Sequence, residues 1–370
     1  MPTAASRRFD NRDAPVVRLC HSVHQGGSLM TTTHASQPLF ADRLASAQPQ
    51  RPTLMVIVDT EEEFDWNAPF SRLATSVTAM RHIDRTQRLC DSAGLAPTYV
   101  IDYPVATQRE GYELIAAWAH EGRCEIGAHL HPWVNPPYDE ALSGPNSFTC
   151  NLPGSLQRAK ILELCDAVHS NTKVTPRVFK AGRYGIGREA IASFDELGLT
   201  VDASVNPQMD FSDESGPDFT GFDSRPFWID GERQILEVPC THGFIGWARG
   251  QGTWLRAAAE SLKGLRAPGI LSRTGTLNRV MLSPEGNTLS EMVALTRALR
   301  ADGLNVFSLT FHSPSVVAGH TPYVRTESDL STFLNCIERY FEFFFGELGG
   351  LPSTPERFRR DLLGRVSTDV

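Results

Sequence analysis

Leu54-Met55-Val56-Ile57-Val58-Asp59, followed by Thr60-Glu61-Glu62-Glu63-Phe64-Asp65-Trp66, is the stretch from which the fold is read. The apolar run has strand length and no polar alternation. Such runs belong to parallel strands covered on both faces by helices. The pattern recurs outward from here. Apolar strands are expected at 97–101, 124–128, 177–179, 199–201, 235–238, 280–282 and 305–310. Between and after them, helical spacing is found at 77–93, 110–120, 156–168, 188–197, 254–265, 289–299 and 330–345, with a further helix at 355–365. Several helices stop at a glycine, such as Gly94, Gly122 and Gly198. Strands alternating with helices predict an α/β fold, and seven or eight of them suit a barrel better than an open sheet. Two irregular stretches rich in Pro, Gly, Asn, Asp and Ser, 132–154 and 205–226, interrupt the alternation as long loops.

Composition narrows the function classes. The chain has 370 residues, 41% of them hydrophobic and 21% charged, which supports a sizeable core. Its net charge of −8 argues against nucleic acid as a partner, because phosphate binding needs a basic surface. No apolar run approaches the ~20 residues that span a bilayer. Seven cysteines, an odd number without a C-x-x-C pair, fit reduced thiols in a cytoplasmic protein. Arg7 and Arg8 are followed by no apolar segment, so no secretory signal is expected. Residues 1–50 lack periodicity and are read as a disordered leader, with Met30 as an alternative start. The histidines at 21, 24 and 34 are read as part of that solvated tail. Residues 51–370 form one domain.

The chemistry is expected where the strands end. Asp59, Asp102, His129, Lys180 with Arg183, Asp202, Glu285 and His312 all follow predicted strands. In parallel α/β barrels the carboxyl ends of the strands form the active-site face. In extended backbone, alternate residues share a side. Asp59 and Glu61 therefore face one way and Glu62 the other, which suits a general base beside a metal ligand. His129-Leu130-His131 places two imidazoles on one face. With a carboxylate they make a two-histidine, one-carboxylate set that leaves positions open. Trp66, Trp133, Tyr184 and Trp247 lie beside these motifs as candidate sugar-stacking rings, and Asp202 and Ser204 as substrate or bracing groups. Glu285 is read first as a turn residue, and Ser313 lacks a nucleophile-elbow context.

These residues carry a family resemblance. VDTEEEFDW (58–66), EIGAHLHPW (125–133), FKAGRYGIG (179–187), VDASV (201–205), EVPCTHGFIGW (237–247), LSPEG (282–286) and FHSPSVVAGHTPYV (311–324) run in order over about 55–325. The chain resembles the polysaccharide deacetylase superfamily (NodB-like, carbohydrate esterase family 4), in its WalW-like branch associated with lipopolysaccharide biosynthesis. The resemblance implies a deformed (β/α) barrel of about seven parallel strands. It also implies a divalent metal and hydrolysis of an N- or O-acetyl group on a sugar or glycan. Asp59 then matches the catalytic base and Glu61 the acidic metal ligand. His129 matches the first metal histidine, with His131 the candidate for the second. Lys180 or Arg183 takes the place of the arginine that orients the base, and His312 matches the general acid. Zinc is the first expectation for the metal, with manganese, cobalt and nickel as alternatives. The chain departs from the family pattern twice. Its two acids are separated by Thr60 rather than adjacent, and its two histidines are two apart rather than four. The alternatives are a catalytically inactive sugar-binding protein on the same fold and a glycoside hydrolase using carboxylates alone, such as Asp59 with Glu285.

Overall fold

The computed structural model describes residues 39–232, 234–251 and 276–366. The helix expected at 254–265, and the part of the expected leader that holds the three histidines and Met30, lie outside them. The described chain opens with β1 (Leu44–Ala45), followed by β2 (Thr53–Thr60), α1 (Asp84–Ser92), β3 (Thr98–Ile101), α2 (Tyr103–Thr107) and α3 (Arg109–His120). Next come β4 (Glu125–Leu130), α4 (Gly154–Thr172), β5 (Val178–Ala181), α5 (Arg188–Ala192), α6 (Phe194–Leu197) and β6 (Val201–Asp202). After the second long loop come β7 (Phe227–Trp228), β8 (Leu236–Glu237), β9 (His242–Ile245) and β10 (Asn278–Met281). The chain ends with α7 (Leu289–Ala301), β11 (Val306–His312), α8 (Glu327–Phe341), β12 (Leu351–Pro352) and α9 (Pro355–Val366).

Seven strands form the parallel body of the sheet, in the order β8-β6-β5-β4-β3-β2-β11. This is the α/β barrel that the strand pattern suits, deformed as the family resemblance implies. Two expectations change. The strand at 280–282 does not join the barrel: β10 pairs antiparallel with β9 in a separate two-stranded sheet. The 242–245 partner strand has no apolar run of its own, so periodicity missed it. The expected leader also extends too far. Phe40 is buried in the main core and Leu44–Ala45 pair with β7, so residues from about 40 to 50 pack on the domain.

Strand alternation sorts the side chains. In β2, Leu54, Val56 and Val58 join the core on the helix side, whereas Met55 and Ile57 point into the barrel. Val100, Val178, Val201, Val238 and Val306 fill the same interior layer. Phe358 and Leu362 of α9 belong to it too. Thr200 just before β6 bonds Glu356, and Arg359 bonds the Gln234 carbonyl just before β8. The C-terminal helix thus plugs the amino-terminal mouth of the barrel and leaves the carboxyl-terminal mouth to the polar residues.

Among the described residues no strand ladder joins β8 to β11, and two hydroxyls bridge them instead. Ser308 Oγ accepts from Thr241 N (3.1 Å) and donates to Pro239 O (2.7 Å), while Thr241 Oγ1 accepts from Ser308 N (2.8 Å). Leu282 extends the seam, donating to Thr241 O and accepting from Thr310 N. Both hydroxyl residues are buried. Replacing Ser308 with Ala would strand the Thr241 N–H and the Pro239 carbonyl. Ser308→Ala is expected to cost about 1–3 kcal/mol in urea unfolding, and Thr241→Val to cost a similar amount.

Candidate functional site

The interior rows of β2, β11, β4 and β5 turn from uncharged to ionisable residues within one residue pair of the carboxyl mouth. Met55 and Ile57 are followed by Asp59; Ser308 and Thr310 by His312; Val178 by Lys180. Register then brings them together, because His312 lies opposite Asp59 and Lys180 opposite His129. Lys180 Nζ donates to both oxygens of Asp59, at 2.7 and 2.8 Å, and to Thr310 Oγ1 at 3.1 Å. Lys180 is 1% exposed. Burial works against its charge, but the Asp59 carboxylate raises its pKa above the ordinary lysine value.

His312 sits on the other side of Asp59, with Nε2 3.8 Å from Oδ2. Its Nδ1 lies 2.7 Å from Glu285 Oε2, and its backbone N donates to Glu285 Oε1 at 3.1 Å. Ser315 donates to the same Oε1. Burial disfavours the charged ring, yet Glu285, with help from Glu61 and Asp59, pushes its pKa up to about 10. Glu285 is therefore more than a turn residue: it orients His312 and holds a proton on it.

Glu61, His129 and His131 form the third group. Glu61 Oε2 lies 3.4 Å from His129 Nε2 and 3.3 Å from His131 Nε2. Each ring is fixed from behind. His129 Nδ1 bonds the Lys180 carbonyl at 3.0 Å, and His131 Nδ1 bonds Glu62 Oε2 at 2.8 Å. Trp133 Nε1 donates to the other Glu62 oxygen at 2.8 Å, and Trp133 stacks on His131 with centroids 4.2 Å apart. Asp102 takes the Glu62 N–H and caps α2 through Val105 N, as a strand-end acid often does. Burial and neighbouring Glu62 lift its carboxyl well above the carboxylate range. Gly182 is required for this packing, because a Cβ there would lie 2.3 Å from His131 Cδ2 and 2.7 Å from the Leu130 carbonyl.

The residues present fit a divalent cation. Three ligand atoms, one each from Glu61, His129 and His131, lie within 4.8 Å of one another. Glu61 Oε1 is buried with no hydrogen-bond partner. Both imidazoles present Nε2 to the same point with Nδ1 engaged elsewhere, the usual arrangement behind a metal. Charge points the same way. Among the described residues, Asp59, Glu61, Glu62 and Glu285 set four carboxyl groups against Lys180, His312 and His131. Burial disfavours charge on Glu61, but His312, His129 and His131 hold it well below the carboxylate range. Burial likewise opposes charge on His131, yet Glu62 and Glu61 raise it.

These groups form the floor of a cleft of about 440 Å³. Trp66, Trp133 and Tyr184 line it. Trp66 meets His312 edge-on at 5.1 Å and Tyr323 at 5.8 Å. Three expectations change. Arg183 does not reach Asp59; it ion-pairs with Glu214, donates to Ser147 and lies over Phe148. The backbone turns left-handed at Arg183 (φ 53°) and Tyr184 (φ 59°), which carries the guanidinium to the cleft wall and leaves the Asp59 carboxylate to Lys180. Asp202 does not line the cleft. It is fully buried, held by Ser204 and set against Glu237, and burial pushes its pKa up to about 6. Trp247 is 81% exposed and outside the cleft. Sequence reasoning missed Glu62 as the group that orients His131, and also missed Thr310 and Tyr323. Glu62 was legible only as the outward member of an acidic run.

No family model and no curated protein matches the chain. Solved structures do. A protein of Mycobacterium smegmatis, named provisionally as a polysaccharide deacetylase, superposes with a TM-score of 0.51 at 13% identity over 89% of this chain and 95% of its own. This likeness is one of fold. A family 4 carbohydrate esterase from Streptomyces lividans, in complex with acetate, gives a TM-score of 0.40 at 10% identity over 82% and 94% of the two chains. The peptidoglycan deacetylase PdaC from Bacillus subtilis gives 0.40 at 8% over 87% and 96%.

Removing one member of the buried ion pair leaves an uncompensated charge. Lys180→Met is expected to destabilise the protein by about 3–5 kcal/mol in urea unfolding. The double variant Asp59→Asn, Lys180→Met should recover most of that loss.

Proposed function

We propose that this chain is a metal-dependent hydrolase that removes an acetyl group from a carbohydrate or glycan precursor. One observation carries the proposal: a lysine-paired aspartate, a two-histidine, one-glutamate cluster and a glutamate-backed histidine meet at the floor of one cleft. The M. smegmatis fold likeness and the motif resemblance support the same reading. Glu61, His129 and His131 would hold the cation. Zinc suits two imidazoles and a carboxylate best; manganese, cobalt and nickel suit them too. Held there, a divalent cation would supply Lewis-acid polarisation of an acetyl carbonyl and would lower the pKa of water toward neutral.

The side chains supply the rest of the reaction. Asp59, fixed by Lys180, takes a proton from the attacking water. His312 arrives charged because Glu285 keeps it so. It gives the Nε2 proton to the departing nitrogen or oxygen, and acetate and the free amine or alcohol leave. The aromatic walls exclude bulk water and so strengthen these charge interactions. The glycoside-hydrolase alternative draws no support from Glu285, since both of its oxygens are engaged by His312 and Ser315. An inactive sugar-binding protein would not need a proton held on His312 beside Asp59.

The finer setting belongs to the same proposal: a WalW-like role in lipopolysaccharide or other cell-surface polysaccharide biosynthesis, in the cytoplasm. The six described cysteines are free thiols, five of them buried, which suits a reducing compartment. Among the described residues no helix is long and apolar enough to cross a membrane.

Elemental analysis of the purified protein, alongside acetate release from acetylated sugars, tests the proposal. Near-stoichiometric metal is expected, and it should disappear with acetate release in His129→Ala and Glu61→Ala. Acetate release at the full rate by metal-free His129→Ala protein would overturn the proposal. Glu62→Gln should weaken metal affinity about 10–100-fold. His312→Ala should keep its metal while kcat falls by about 10²–10⁴.

A further inference from the structure

The walls of the cleft differ sharply from its floor. Above the charged groups stand Phe64 stacked on Trp66 (5.5 Å), Phe70 against Trp133 (4.5 Å) and Tyr184 stacked on Phe211 (5.6 Å). Leu142, Phe148, Met281 and Tyr323 complete the lining. Among the described residues, the polar side chains on these walls are already engaged. Arg183 and Glu214 are paired to each other. Asp65 accepts from Asn67 N, and Ser143 from Asn146 N. Outside these bonds are Asp65 Oδ2, the Ser143 hydroxyl proton and the polar tips of Trp66, Tyr184 and Tyr323.

A run of sugar residues carries several hydroxyls per ring, and each one buried without a partner costs about 1–3 kcal/mol. These mainly aromatic walls offer few partners for them over a chain. They can stack on one sugar ring and cover an apolar group beside it. A cleft of about 440 Å³ also lies toward the small end of the ~300–1,000 Å³ range of small-molecule sites. From this contrast we infer that the substrate is a single acetylated sugar unit joined to an apolar group, not an internal residue of a polysaccharide. The floor reads the acetyl group, and the aromatic walls take the apolar aglycone. This inference rests on the deacetylase reading for its chemistry, but its binding component can be tested separately.

The probes are methyl, butyl and hexyl glycosides of N-acetylglucosamine and N-acetylglucosamine oligomers of one to four residues. Acetate release and calorimetric binding are measured for each with the metal-loaded protein. Affinity and kcat/KM should rise at least about tenfold from methyl to hexyl and stay flat with oligomer length. Trp66→Ala and Tyr323→Ala should each reduce the alkyl gain. A rise with oligomer length and none with alkyl length would overturn the inference, as would an alkyl gain unchanged in both variants. If no probe releases acetate while binding still tightens with alkyl length, the deacetylase reading fails and the inference about the apolar aglycone stands.

Discussion

The Lys180 ammonium, gripped by both oxygens of Asp59 across the barrel mouth, is the interaction around which the site is organised. Both residues are buried, so neither charge is tolerable without the other. The pair joins β2 to β5, strands separated in the sheet by β3 and β4. Thr310 of β11 completes it from the opposite side. The same contact therefore ties three strands together and fixes the carboxylate that faces His312. The structural tie also holds the group proposed as the base, and the Lys180 backbone carbonyl fixes the His129 ring.

Charge balance links that pair to the rest of the floor. Burial pushes the pKa of His129 below the ordinary histidine value. Its neighbour His131 faces two glutamates, and the Glu61 oxygen that no hydrogen bond satisfies points to where added positive charge is needed. Glu285 resolves the same demand differently at His312, by keeping a proton on the ring. One mouth thus holds a place for a cation and a place for a proton, with Asp59 between them. The division depends on which carboxylate sits behind which imidazole.

The altered spacings show why motif matching alone would have undervalued this chain. Asp59 and Glu61 are two apart, and so are His129 and His131. Extended backbone places residues two apart on one side, so both pairs still converge. The strand ends just before His131, and Gly182 gives its ring room against β5. Arg183 is the counterexample. Its sequence position made it as good a partner for Asp59 as Lys180, but a left-handed turn sends it to Glu214 and the aromatic wall. Asp202 failed as a cleft residue because β6 ends while still covered, and its carboxyl turns to Ser204 and Glu237.

The sequence by itself determined the parallel strands, their covering helices and the polar residues at the strand ends. Those features are local, since period-two alternation and apolar runs need no partner to be read. It also marked Asp59, Glu61, His129, His131 and His312, whose spacing holds along one strand or just past its end. Only the tertiary structure decided the choice of Lys180 over Arg183, the roles of Glu62 and Glu285 behind the histidines, and the pairing of β9 with β10. It also decided the hydroxyl seam at Ser308 and Thr241. Each of these joins residues far apart in the chain, and which of them meet depends on register and burial that no single segment specifies.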